Sequence, residues 1–241
     1  ELLFRALLET SRSKTRDQCA IELLGVFQLY GADACTVDGA ILSSVVPPLT
    51  TIFTDAIARL TGIPPMVVGP GIRTGLNIKA EIHNQLGSDI VASSVAAIAK
   101  YPSPIVMVDM GTATSLSLIV GSVYEGCIIM PGLALALDAL SERAAALPPI
   151  SIETASPVGL MGHTTEEAMR SGVLYGHASM VDGMLERIEE SIGQSVTTVA
   201  TGGNAPRILR YCKRPIQYDA DLIMTGLYLL YQKNAKKYRK A

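Results

Sequence analysis

Neither sign of charge dominates this chain. Twenty Lys and Arg side chains face twenty-two Asp and Glu, for a net charge of −2. That leaves no electrostatic footprint for a nucleic-acid partner. Charge of any kind is sparse at 17%, while 49% of the residues are hydrophobic, so intrinsic disorder is excluded and a sizeable core is expected. Tryptophan is absent and only four cysteines occur, at 19, 35, 127 and 212. None forms a C-x-x-C pair, which argues against a zinc site or a disulfide framework and for a reducing compartment. The longest weakly charged stretch, 126–137, is broken by Pro131 and Gly132 and falls short of the ~20 apolar residues of a membrane helix. No signal peptide is seen, so a cytoplasmic location without membrane attachment is expected. The sequence starts at Glu1 in an apolar segment, and further residues are expected upstream. A P-loop, H-E-x-x-H and G-x-S-x-G are all missing. Gly69-x-Gly71-x-x-x-Gly75 fails the dinucleotide fingerprint by one position.

What is present alternates between strand and helix patterns. Thr15-Arg-Asp-Gln18 reads as a capping box, followed by apolar positions at Ile21, Leu24 and Phe27 and a stop at Gly31. Residues 38–46 read as a strand buried on both faces and ended by Pro47-Pro48. A helical stripe runs from Leu49 to Leu60, then comes a short strand at Met66, the glycine-rich loop 69–75 and an alanine-rich helix over 86–100. Strands are expected at 105–109, 118–120 and 123–130, then a helix over 133–147. A long helix opens at the capping box Thr164-x-x-Glu167, a strand spans 196–200, and a last helix spans about 221–231. The interleaving predicts an α/β fold with a mainly parallel sheet plus a meander. The best boundary lies near the Pro-rich turn at 101–104.

Three motifs could carry chemistry. Val108-Asp109-Met-Gly111-Thr112-Ala-Thr114 places a carboxylate at the end of a buried strand, where it needs a partner or a cation. The following turn can offer backbone N–H groups to an anion, and the hydroxyls of Thr112 and Thr114 can donate to phosphate oxygens. A plain β-turn with Asp109 capping it is the other reading. Thr201-Gly202-Gly203 lets the backbone approach a flat ligand, or is simply a strand-to-helix turn. Gly87-Ser88-Asp89 starts a helix, with Asp89 either capping it or acting as a general base. The three histidines, His83, His163 and His177, show no ligand-like spacing and read as surface or cap residues. The basic residues at 233–240 read as a solvated helix end or a binding tail.

In order along the chain, Ser43-Ser44-Val45-Val46-Pro47-Pro48, the loop from Gly69 to Leu76, Gly87-Ser-Asp89, Asp109-Met-Gly-Thr-Ala-Thr114, Ile129-Met-Pro-Gly132, Glu142-Arg-Ala-Ala145 and Thr201-Gly-Gly203 resemble the type III pantothenate kinases over almost the whole length. The resemblance implies the acetate/sugar kinase, Hsp70 and actin superfamily. Its members have two related ribonuclease H-like α/β domains with mixed sheets, clamping ATP, here 1–104 without its first hairpin and 105–241, the last helix free to pack back on the first. It implies a homodimer that phosphorylates pantothenate with ATP, the first step of coenzyme A synthesis, using Mg2+ and a monovalent cation, K+ or NH4+. Carried over, Asp89 is the catalytic base, and Gly87, Ser88 and Thr165 lie near pantothenate. Gly111, Thr112 and Thr114 form the phosphate turn, Gly132 and the pair Gly202 and Gly203 lie at the nucleotide, and Asp109 is tied to the cation.

The departures are specific. Ile90 stands where the family has an arginine beside its catalytic aspartate, removing a charge-assisted contact to an anionic substrate worth ~1.5–3 kcal/mol. Arg73 is one candidate to replace it. Thr164 stands where asparagine is common and Ser117 where aspartate is common. The family's N-terminal D-x-G-N-T hairpin is missing, and Glu1-Leu-Leu-Phe4 matches the sequence just after it. Two functions are therefore expected to compete. One is an active pantothenate kinase. The other is a non-catalytic or altered-substrate paralogue that binds nucleotide in a regulatory role, as some relatives were first described as transcription accessory factors. Met169, Val173, Met180 and Met184 on the long helix serve either the core or a dimer interface.

Overall fold

A computed structural model describes residues 2–79, 86–152 and 158–235. In chain order the first elements are α1 (Arg16–Leu29), β1 (Ile41–Leu42), α2 (Pro47–Thr61), β2 (Met66–Val67), β3 (Asn77–Ile78), α3 (Ser88–Lys100) and β4 (Ile105–Met110). They are followed by β5 (Ala113–Val120), β6 (Val123–Pro131), α4 (Leu133–Arg143), α5 (Thr165–Ile192), β7 (Thr197–Thr201), α6 (Ala205–Leu209), β8 (Gln217–Tyr218) and α7 (Leu222–Asn234). The chain divides into two compact units, one of residues 1–75, 84–96 and 223–241 and the other of 76–83 and 97–222. Residues 97–104 thus group with the second unit and 223–241 with the first.

In the first unit, α1 opens on the anticipated capping box: Gln18 N donates to Thr15 Oγ1 at 3.3 Å and Thr15 N to Gln18 Oε1 at 2.8 Å. Its inward face differs from the expected one. Cys19 and Ala20 are buried with Leu23 against Ala56 of α2, whereas Ile21 is 70% exposed. Positions 19, 23 and 27 share one side at a spacing of four, and that side meets α2. The strand expected over 38–46 shrinks to β1, two half-buried residues paired in parallel with β2. The chain leaves the sheet at Ser43, whose hydroxyl meets Ser88 Oγ at 2.8 Å. Pro47 and Pro48 start α2 instead of ending a strand, because a first helical turn needs no N–H from them. Gly62 stops α2 at φ 71°.

Val68, Ala92 and Leu230 form the centre of this unit with Ile41, Ile72 and Leu227. Helix α7 reaches α3 through Gly226, where a Cβ would stand 1.8 Å from the carbonyl oxygen of Ala92. At the end of α7 the Asn234 side chain donates to Arg73 O and accepts from Arg73 N, both at 3.0 Å, and Lys233 Nζ donates to Thr74 O at 3.0 Å. The glycine-rich loop is thereby fixed to the last helix.

The second unit holds a six-stranded sheet of order β3-β6-β5-β4-β7-β8. Strand β5 runs antiparallel to β4 and β6, and the other neighbours are parallel. From β6 to β8 this is the ribonuclease H-like order, with one strand reversed, so the expected α/β class with a mixed sheet holds. The unbroken and fully buried apolar run Ile105–Val108 places β4 at the centre, and Asp109 of the same strand is half-buried. Val106, Val108 and Met110 share one face by the two-residue period and pack under α4, α5 and α6. Strand β5 starts at Ala113, five residues before the apolar run that announced it, because its early residues pair with Met130 and Pro131 of β6. Strands β3 and β8 carry no hydrophobic pattern and were not anticipated.

The α3–α7 contact yields a stability prediction. Gly226→Ala improves helix propensity by roughly 1 kcal/mol but drives a methyl into backbone, an overpacking cost of ~1–3 kcal/mol or more. The expected result is a lower urea midpoint at unchanged slope; an unchanged or raised midpoint contradicts the close approach.

Candidate active site

The first cluster lies at the start of α3. Ser88 is the first helical residue, so Asp89 sits inside the first turn and does not cap the helix. Its Oδ1 accepts the neighbouring N–H of Ile90 at 2.9 Å, and a carboxylate is favoured there by the helix dipole. The carboxylate folds over Gly87: a Cβ at 87 would lie 2.3 Å from Asp89 Oδ1. In this rotamer the Asp89 carboxylate fills the space a side chain at 87 would take. Ser88 Oγ also donates to Ser44 O at 3.3 Å, so its hydroxyl ties α3 to the segment after β1. Asp89 and Ile90 are half-buried.

The second cluster lies at the C-terminal end of the six-stranded sheet. Antiparallel pairing of β4 with β5 brings Met110 opposite Thr114 and leaves Gly111 and Thr112 at the tip. Parallel pairing of β4 with β7 sets Asp109 beside Thr201, so Gly202 and Gly203 emerge next to the turn. Pairing of β5 with β6 sets Ala113 beside Pro131 and brings in Gly132. The sheet alone thus gathers Asp109, Gly111, Thr112, Thr114, Gly132, Gly202 and Gly203. Two glycines make the approach possible. A Cβ on Gly132 would be 2.2 Å from Thr112 O, and one on Gly202, at φ 93°, would be 2.6 Å from Met110 O and 2.7 Å from Asp109 Oδ1. Gly203 faces open space and Thr112 is exposed. The N–H of Gly111 is engaged inside the turn, donating to Ala113 O at 3.0 Å.

Thr114 departs from expectation. Its hydroxyl is buried, 2.8 Å from His177 Nε2, so it braces the turn from within and is not presented to a phosphate. His177 is likewise a correction: it is 2% exposed, not a surface residue. It lies on the buried stripe of α5 with Val173, Val181 and Leu185. Thr165 is exposed at the first position of that helix, after Thr164, whose Oγ1 accepts Glu167 N at 3.2 Å. The reciprocal bond of the expected capping box falls one residue early, from His163 N to Glu167 Oε2 at 2.8 Å. Met169 and Val173 belong to the core, while Met180 is partly exposed. Among the described residues no group of three or more His, Cys, Asp or Glu could hold a metal ion. No helix among them is long and apolar enough to cross a membrane.

Burial holds the His177 pKa below its ordinary value. Below about pH 6.5 the unfolded chain therefore binds more protons than the folded one. The contribution is whole above that pH and is lost as pH falls through the folded pKa, by at most ~1.4 kcal/mol per unit. His177→Gln keeps a polar partner for Thr114 without titrating. It is expected to flatten the fall in unfolding free energy between pH 6.5 and 5 relative to the unsubstituted chain, read by urea unfolding; identical profiles contradict a neutral buried His177.

The model of the family described as type III pantothenate kinase matches residues 2–187. A type III pantothenate kinase of Exiguobacterium sp. is 39% identical over 230 residues, 95% of this chain and 89% of that protein. One of Bacillus cytotoxicus is 39% identical over 229 residues, 95% of this chain and 87% of that protein. Among solved structures, a Campylobacter jejuni protein described as a Baf family transcriptional activator superposes with a TM-score of 0.51 at 21% identity, over 71% of this chain and 73% of that one, a likeness of fold. With a family match across more than three quarters of its length and relatives at this identity aligned nearly end to end, this chain belongs to the type III pantothenate kinase family.

Proposed function

We propose that the chain transfers the γ-phosphoryl group of ATP to the hydroxyl of pantothenate, the entry step of coenzyme A synthesis. The observation that carries this reading is the family match over residues 2–187, together with the glycine-lined turn that Asp109, Gly132 and Gly202 complete. Phosphoryl transfer asks for positioning and charge neutralisation more than covalent chemistry. Asp89 is the general base that orients the pantothenate hydroxyl and takes its proton. Gly87 gives that carboxylate its room, and Ser88 fixes the start of its helix. Thr165 contributes to the pantothenate side. Gly111 and Thr112 cradle the phosphates, Thr114 braces their turn from within, and Gly132, Gly202 and Gly203 border the nucleotide.

Asp109 would hold the cation. Among the described residues Asp109 belongs to no group of three or more His, Cys, Asp or Glu, which suits a weakly bound monovalent ion, K+ or NH4+, or a magnesium that keeps its water and phosphate ligands. Such an ion supplies neutralisation of charge on the triphosphate. The family resemblance further implies a homodimer, and a chain that draws on ATP and pantothenate would work in the cytoplasm, where both are found. Ile90 leaves the pantothenate carboxylate without the adjacent arginine, and Arg73, exposed on the loop fixed by Asn234, is one candidate to replace it.

The full-length chain, given ATP, magnesium, potassium and pantothenate, is expected to release ADP only when pantothenate is present. Asp89→Asn should lower kcat by ~100-fold or more while ATP affinity stays within about two-fold, as loss of a general base predicts. ATP binding without pantothenate-dependent turnover in the unsubstituted chain contradicts the assignment. Separately, Ile90→Arg should lower the KM for pantothenate by about ten-fold or more, leaving the KM for ATP unchanged. An unaltered pantothenate KM would show that position 90 does not face that substrate.

A further inference from the structure

Asn204 follows Gly202-Gly203 at the N-cap of α6. An asparagine there ordinarily turns its side-chain oxygen to a free N–H of the first helical turn. Here it makes no such bond. Its Nδ2 donates to Gly111 O at 3.2 Å, its backbone N donates to Met110 O at 3.0 Å, and its Oδ1 accepts from the Arg207 guanidinium at 3.2 Å. A guanidinium only donates and a carbonyl only accepts, so one orientation of the amide satisfies both neighbours.

Three successive carbonyls of the turn are thus drawn onto donors from other loops. Met110 O and Gly111 O go to Asn204, and Thr112 O goes to Gly132 N at 3.1 Å. In a trans peptide the C=O and the following N–H point in opposite directions. Holding Gly111 O on Asn204 therefore aims the N–H of Thr112 away from Asn204. It also keeps the negative end of that peptide off the side where an anion would lie. The N–H of Gly111 is already engaged with Ala113 O, which gives the orientation of Thr112 added weight.

The geometry points to Asn204 as a positioning residue for nucleotide phosphate, acting through the Gly111–Thr112 peptide and itself oriented by Arg207. The claim deepens the kinase reading and rests on it for the identity of the nucleotide. Nothing in the sequence motif demands an amide at 204; the role comes from the side chain's reach to the turn.

The test compares the full-length chain with Asn204→Leu, which removes the amide at similar volume, and Asn204→Asp, which keeps an acceptor for Arg207 but sets a carboxylate against Gly111 O. Two readouts are taken: steady-state KM for ATP and for pantothenate, and calorimetric ADP affinity, which needs no turnover. Both variants are expected to raise the ATP KM and weaken ADP about ten-fold, with the pantothenate KM within two-fold and a near-unchanged melting temperature. Arg207→Leu should give a smaller effect in the same direction and add little to Asn204→Leu. ATP KM and ADP affinity within two-fold in both Asn204 variants overturn the inference, as does equal loss for both substrates with a lowered melting temperature. If Asn204→Leu does not fold, Asn204→Asp and Arg207→Leu carry the same comparison. Weakened ADP in the variants of a chain that never phosphorylates pantothenate supports Asn204's role and refutes the kinase assignment.

Discussion

Backbone packed directly on backbone is the constraint on which the second unit's site depends. The carbonyls of residues 110–112 lie so near the Cα atoms of Gly132 and Gly202 that no side chain could be inserted at either position. This approach follows from sheet order. Strand β4 is central, with an antiparallel neighbour on one side and a parallel one on the other, so the ends of β4, β6 and β7 and the start of β5 converge. A turn made of main chain, with few side chains, is a rigid place to hold a polyanion. It also explains how a chain with so little excess charge can belong to a family that uses ATP.

The first unit supplies a different kind of control. Asp89 has its position fixed by what surrounds it: Gly87 below the carboxylate, Ile90 N–H donating to it, and Ser88 linked to Ser43 and Ser44. The glycine-rich loop that bears Arg73 is held by the last turn of α7, so residues 159 and 161 positions apart in sequence set one another's conformation. Burial of aliphatic and alanine side chains at Val68, Ala92 and Leu230 anchors these pieces, and Gly226 permits the tight helix crossing.

Local chemistry was legible in the sequence where it acts locally. The capping box at Thr15, the left-handed stop at Gly62 and the buried run of β4 are visible because each rests on adjacent residues. Strands β3 and β8 were invisible because two residues each, with no apolar pattern, exist as strands only through distant partners. The inner face of α1 is not legible in its own apolar positions: Ile21 and Leu24 are apolar yet turned outward, and only α2 decides which stripe is inner. His177 carries a sequence signal of its burial: it falls on the stripe of Val173, Val181 and Leu185, four residues apart. Asn204 has only its position after two glycines, and its reach to Gly111 depends on a turn 93 residues earlier. The candidate site residues were named by motif and resemblance. Which hydroxyl is buried, which N–H is engaged and which carbonyl is pinned emerged from the fold.

The most direct measurement is amide NMR of the full-length chain titrated with a non-hydrolysable ATP analogue. The account predicts the largest shifts at Gly111, Thr112, Gly132, Gly202 and Gly203, with Thr112 foremost. Saturable binding that leaves these five amides unmoved would contradict it.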